Sequence, residues 1–203
     1  CSAKLSKNPS KESNALRVEH AVETIFDKSL KKAIQQTKQS PALINYSVGK
    51  IKYEKKPDEQ DFELLNKIGN ADIPFFHPTD SMMFKGSQWG DTWRAGVHAG
   101  ISNIHHFYFP RSLLISSVLF KKVLDVADLR LQNILRFLWQ SVALSFTKLN
   151  RYGATHYSQL NRFLSGTLYV ASTISEVSVN YAFTGKLRRL VSAFASVSKL
   201  STD

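Results

Sequence analysis

The chain has 203 residues, of which 43% are hydrophobic and 21% charged, with one cysteine and a formal net charge of +11. That balance excludes global disorder, and a lone cysteine excludes both an intramolecular disulfide framework and a cysteine-rich metal site. The length suits one domain with a sizeable core and an extra arm.

The charge is unevenly placed. Residues 1 to 57 hold twelve Lys and Arg against five Asp and Glu, 58 to 128 hold six against nine, and 129 to 203 hold nine against two. Two basic ends around a mildly acidic middle point to contact with something anionic: an acidic protein, an anionic lipid surface or nucleic acid.

Residues 1–13 are rich in Lys, Ser and Asn, too polar to bury a core, and read as a tether. The sequence opens Cys1-Ser2-Ala3, which fits a lipid-modified bacterial envelope protein with Cys1 as the attachment point. It equally fits a mitochondrial-type organellar subunit whose targeting segment has been removed. The composition does not separate the two. Cys1 as an N-terminal nucleophile requires an ordered first strand, which this polar stretch does not supply.

From Asn14, a candidate cap, Val18, Val22, Ile25, Phe26, Leu30, Ala33 and Ile34 recur at helical spacing until Pro41, predicting an amphipathic helix. Ile44, Tyr46 and Val48 alternate, as do Ile51 and Tyr53 beyond Gly49-Lys50, predicting a short β-hairpin. Phe62, Leu65 and Ile68 before Gly69 predict a short helix with a glycine C-cap. Residues 70–110 carry prolines, glycines and many aromatics and read as a long loop packed on a core or a partner.

Arg111 to Tyr152 lacks Gly and Pro and predicts two helices with a break near Asp125 to Arg130. Leu160, Phe163, Leu164, Leu168, Ala171 and Ile174 are spaced as a helix, whereas Val177, Val179, Tyr181 and Phe183 alternate as a strand. The segment 163–185 therefore stays open between the two. Beyond Gly185, Leu187, Leu190, Val191, Phe194 and Val197 mark a final helix. The predicted fold is mainly α: a single irregular helical domain over 14–203 with a flexible basic arm and helices (14–69), an aromatic loop (70–110) and a helical core (111–203).

Chemistry-bearing motifs are sparse. His77, Asp80, Asp91, His98, His105 and His106 crowd one segment, but no two histidines have the helical spacing of a metalloprotease and His105 and His106 point apart on any regular element, so no metal and no cofactor are expected. There is no Gly-x-Ser-x-Gly elbow, no phosphate loop, no Gly-x-Gly-x-x-Gly turn, and no RNA-binding motif of the RRM or KH type. A bilayer-spanning helix needs about 20 mainly apolar residues. Ala95 to Pro110 is too short and Phe163 to Gly185 carries Glu176 among many hydroxyls.

The residues most suited to interaction are Trp89, Trp93, Arg94, Phe107, Tyr108, Phe109 and Arg111, with Arg188 and Arg189 on the last helix, because aromatics with Arg dominate interface hot spots. The sequence thus reads as a non-catalytic structural or assembly subunit of a membrane-associated protein complex. Its partners would be other protein subunits, with an anionic membrane surface as a further contact. A nucleic-acid-associated protein, such as an organellar ribosomal component, is the second reading, and an enzyme with a histidine-based site in 77–106 the third.

Overall fold

A computed structural model describes residues 5–6, 16–17, 21–82, 100–156 and 158–200. The chain divides into two compact units, 1–40 and 41–203. In the first, β1 (Leu5–Ser6) pairs in parallel with β2 (Leu16–Arg17), and β3 (Val22–Asp27) pairs antiparallel with β4 (Lys32–Thr37).

The β3–β4 hairpin stands where helical spacing predicted a helix. Cross-strand pairs run from Val22 with Thr37 to Asp27 with Lys32, and Lys38 N extends the ladder to the Ala21 carbonyl at 2.7 Å. The reason is local. Val22, Thr24, Ile25, Ile34 and Thr37 are β-branched and fit a pleated strand. Asp27 Oδ1 accepts from Ser29 N at 2.9 Å and Leu30 N at 3.0 Å, closing a turn that Lys31 completes at φ 53. Asn14 and Val18, the start of the expected helix, lie outside the described residues.

The second unit opens on the expected hairpin, β5 (Ile44–Val48) with β6 (Ile51–Lys55), turned at Gly49 with φ 61. Tyr46 stacks on Tyr53 with centroids 5.3 Å apart. Helix α1 (Glu59–Gly69) follows under a reciprocal cap: Asp61 N donates to Asp58 Oδ1 at 3.1 Å and Asp58 N to Asp61 Oδ2 at 3.0 Å. Lys55 reaches both carboxylates, at 2.9 and 2.7 Å, which holds the Asp58 carboxyl below its usual range and raises the Lys55 ammonium. The helix ends one residue later than its glycine suggested, on Asn70 in a right-handed conformation.

After a 3-10 turn (Ile104–Phe107), α2 (Pro110–Leu124) and α3 (Leu129–Ala143) form the expected pair of helices, separated where Asp125 closes one and Asp128 caps the other through Leu131 N. A second 3-10 turn (Leu144–Phe146) leads into an irregular stretch, and α4 (Val179–Leu200) closes the described chain. Residues 163–178 are neither helix nor strand, and the alternation at Val177 to Phe183 resolves into the first turns of α4. Ser178 Oγ accepts from Tyr181 N at 3.3 Å and so caps that helix.

The mainly α expectation is therefore corrected: the described fold is mixed α/β, with four helices, 42% helical content and two antiparallel two-stranded sheets. The β3–β4 hairpin took residues that periodicity assigned to a helix, and polar side-chain bonding contributes to the irregular path after the second 3-10 turn. No helix among the described residues is long and apolar enough to cross a membrane.

The core of the second unit is two adjoining clusters. Val142, Phe146, Val177, Val179 and Ala182 form one, and Ile101, Phe107 and Leu149 the other. Tyr108 packs against both, and burial raises its phenol pKa.

Candidate functional site

Two surfaces of the second unit carry features that folding alone does not require. The first is an open apolar groove of about 890 Å³ between α3 and α4, lined by Leu129, Ile134 and Phe137 from α3, Leu190 and Phe194 from α4, and the polar Arg130 and Asn133. Leu129, Asn133 and Phe137 recur at i, i+4 and i+8 along α3, and Leu190 and Phe194 at i and i+4 along α4, so each set shares one helix face. Phe137 is 70% exposed, Leu129 68% and Phe194 48%, with Val191 and Val197 also open. An apolar strip of this kind, rimmed by charge, marks a contact surface. Arg130 lines the groove, Arg136, Arg188 and Arg189 are exposed on the same two helices, and neither helix carries an Asp or Glu within its span, the exposed cap Asp128 standing just ahead of α3.

The second is the irregular segment 145–176, organised around a fully buried Asn150. Its Nδ2 donates to the Ser145 carbonyl at 2.9 Å, its Oδ1 accepts from Arg162 N at 2.8 Å and its carbonyl accepts from Ser175 N at 2.9 Å. Gln159, in the left-handed region at φ 54, brackets Gly153: Gly153 N donates to its Oε1 at 2.9 Å and its Nε2 donates to the Gly153 carbonyl at 2.7 Å. Gln159 Nε2 also donates to the His156 carbonyl, and Ser145 Oγ donates to Asn161 Oδ1 at 2.8 Å. Beyond the 3-10 turn, this segment satisfies its described backbone partly through backbone pairs such as Tyr152 N to the Thr173 carbonyl at 3.1 Å and partly through amide and hydroxyl side chains.

Of the interaction residues expected from sequence, Trp89, Trp93 and Arg94 lie outside the described residues. Phe107 is a core residue and Tyr108 joins the two core clusters. Phe109 lies beneath the Lys148 ammonium, 5.7 Å from its ring centre. Arg111 is committed to Glu176 in a two-pronged pair at 3.2 and 2.9 Å, and Ser112 Oγ adds a third bond to the same carboxylate at 3.0 Å. This ties the start of α2 to the chain just ahead of α4. Arg188 and Arg189 are exposed, Arg188 bordering a shallow depression with Tyr181 and Thr184. Cys1, Asp91 and His98 are also outside the described residues. His105 and His106 are buried and tilted on one another with ring centres 4.2 Å apart, and His77 meets His105 edge-on at 6.0 Å.

Residue-by-residue reading missed Leu129, Ile134 and Phe137 as surface, because an apolar helical stripe is ordinarily core. It also missed Asn150, Gln159 and Asn161. A signal was there: the dipeptide Asn-Arg occurs at 150–151 and again at 161–162, and the fold bonds the two copies together. Compared with protein-family models, with curated proteins and with solved structures, the chain matches none.

Proposed function

We propose that the protein is a non-catalytic assembly subunit whose α3–α4 groove receives an acidic amphipathic helix of a partner protein. The observation that carries this reading is the groove itself: an open apolar surface shared by two helices, with arginine as its only charged lining residue among those described. An apolar strip along two neighbouring helices accepts the apolar stripe of a third, in the i, i+3, i+4, i+7 mode of helix-in-groove recognition. The basic rim selects a partner with carboxylates flanking its apolar stripe, through charge complementarity that sets register and orientation. The membrane association expected from the sequence would then come through the complex that the partner belongs to.

The test uses two synthetic helical peptides with the same leucine stripe, one with glutamate and one with lysine on the flanking positions. Tight binding of the glutamate peptide, weakened by more than about tenfold in Phe137→Ser, is the expected result. Equal binding of both peptides, or binding to phosphatidylserine vesicles with no affinity for either, would overturn the proposal.

A further inference from the structure

Arg162 is an unusual cation. Its Nε is buried and has no hydrogen-bond partner among the described residues, although a buried donor left unpaired costs free energy and native structures seldom retain one. The guanidinium lies flat on Gly153, so closely that a Cβ at that position would sit 2.6 Å from Nη2 and 2.7 Å from Cζ. The backbone beneath it is fixed from two sides. Arg162 N donates to the buried Asn150 Oδ1 at 2.8 Å, and the Arg162 carbonyl accepts from Arg151 Nε at 3.2 Å.

The same bond places the Arg151 side chain alongside, with its Nε engaged and its terminal nitrogens unused by any described residue. Among the described residues neither arginine has an ion pair: Leu129 to Ser175 contains no Asp or Glu, and the next acid, Glu176, is already held by Arg111 and Ser112. Two arginines tied together through the Arg162 carbonyl, positioned by a buried amide network and without a counter-ion among the described residues, are suited to a ligand with several acceptor oxygens and negative charge. Planar forks match tetrahedral phosphate through paired N–H bonds, which an ammonium cannot do.

We propose that Arg151 and Arg162 form a binding site for a phosphate group, free or carried by a nucleotide or a nucleic-acid strand. Gly153 is part of the site because any side chain there displaces the Arg162 guanidinium. This site is separate from the α3–α4 groove, and its test is independent of peptide binding.

The experiment follows the arginine Nε–H resonances of the full chain while inorganic phosphate is added, with chloride at matched ionic strength as the control. Saturable shifts of Arg151 and Arg162 with phosphate only are expected, and Arg162→Gln and Gly153→Ala should each weaken binding about tenfold, the second without changing the charge. If Arg162→Gln fails to fold, Arg162→Lys and the wild-type titration carry the same test. Adenosine monophosphate and a short single-stranded oligonucleotide then distinguish the source: equal affinities indicate phosphate itself, and a much tighter oligonucleotide indicates a strand backbone. Shifts that match chloride, or variants that bind as the wild type does, would overturn the proposal.

Discussion

Phe146 and Phe194 show how much position decides for a single side chain. Phe146 is fully buried in the cluster that joins the end of α3 to the start of α4, whereas Phe194 is open on the groove. Truncating a buried phenylalanine removes its transfer free energy and leaves a cavity that close-packed neighbours fill only in part. Phe146→Ala should therefore cost about 3 to 5 kcal/mol, read as a lower urea midpoint at constant slope. Phe194→Ala should change stability by no more than about 0.5 kcal/mol, as exposed positions generally do. A comparable loss in both would mean that the α4 face is packed in solution. Asn150 makes the same point for polarity: a fully buried amide is tolerated because both ends are satisfied, by the Ser145 carbonyl and by Arg162 N.

Helix α4 contains Gly185 inside its span, where the sequence suggested a boundary. A Cβ at Gly185 would meet nothing within 4 Å. Alanine should accordingly raise stability by about 0.5 to 1 kcal/mol, by restricting the unfolded chain and favouring the helix. Thermal unfolding of Gly185→Ala checks this, and a lower midpoint would show that the helix breaks there. What was legible in the sequence follows physical range. The β5–β6 hairpin, α1 and the α2–α3 break were readable because alternation, caps and turn residues lie within a few positions of each other. The β3–β4 hairpin was not, because Val22, Ile25, Phe26, Leu30, Ala33 and Ile34 satisfy helical spacing while a turn at Asp27 to Lys31 divides them. Residues 160–174 also scan as a helix, yet bonds from Asn150 to Arg162 N and Ser175 N pin that stretch in an irregular path. Contacts of that kind leave no periodic trace. The groove was half legible: Leu190 and Phe194 stood out as an apolar face of the last helix, whereas Leu129, Ile134 and Phe137 did not, and only the fold brings the two sets together.

At the scale of the second unit, the basic surplus and the exposed apolar strip lie on the same helices. Residues 129–203 hold nine Lys and Arg against two Asp and Glu, and none of the acidic residues lines the groove. Apolar contact supplies affinity for almost any amphipathic helix, so the charge around the groove must supply discrimination. A charge reversal in the groove tests this most directly. Titration calorimetry on Arg130→Glu, with the glutamate-flanked and lysine-flanked peptides at two salt concentrations, should show the wild-type preference inverted and the difference shrinking at the higher salt. Retention of the original preference in Arg130→Glu, or a preference indifferent to salt, would contradict the account.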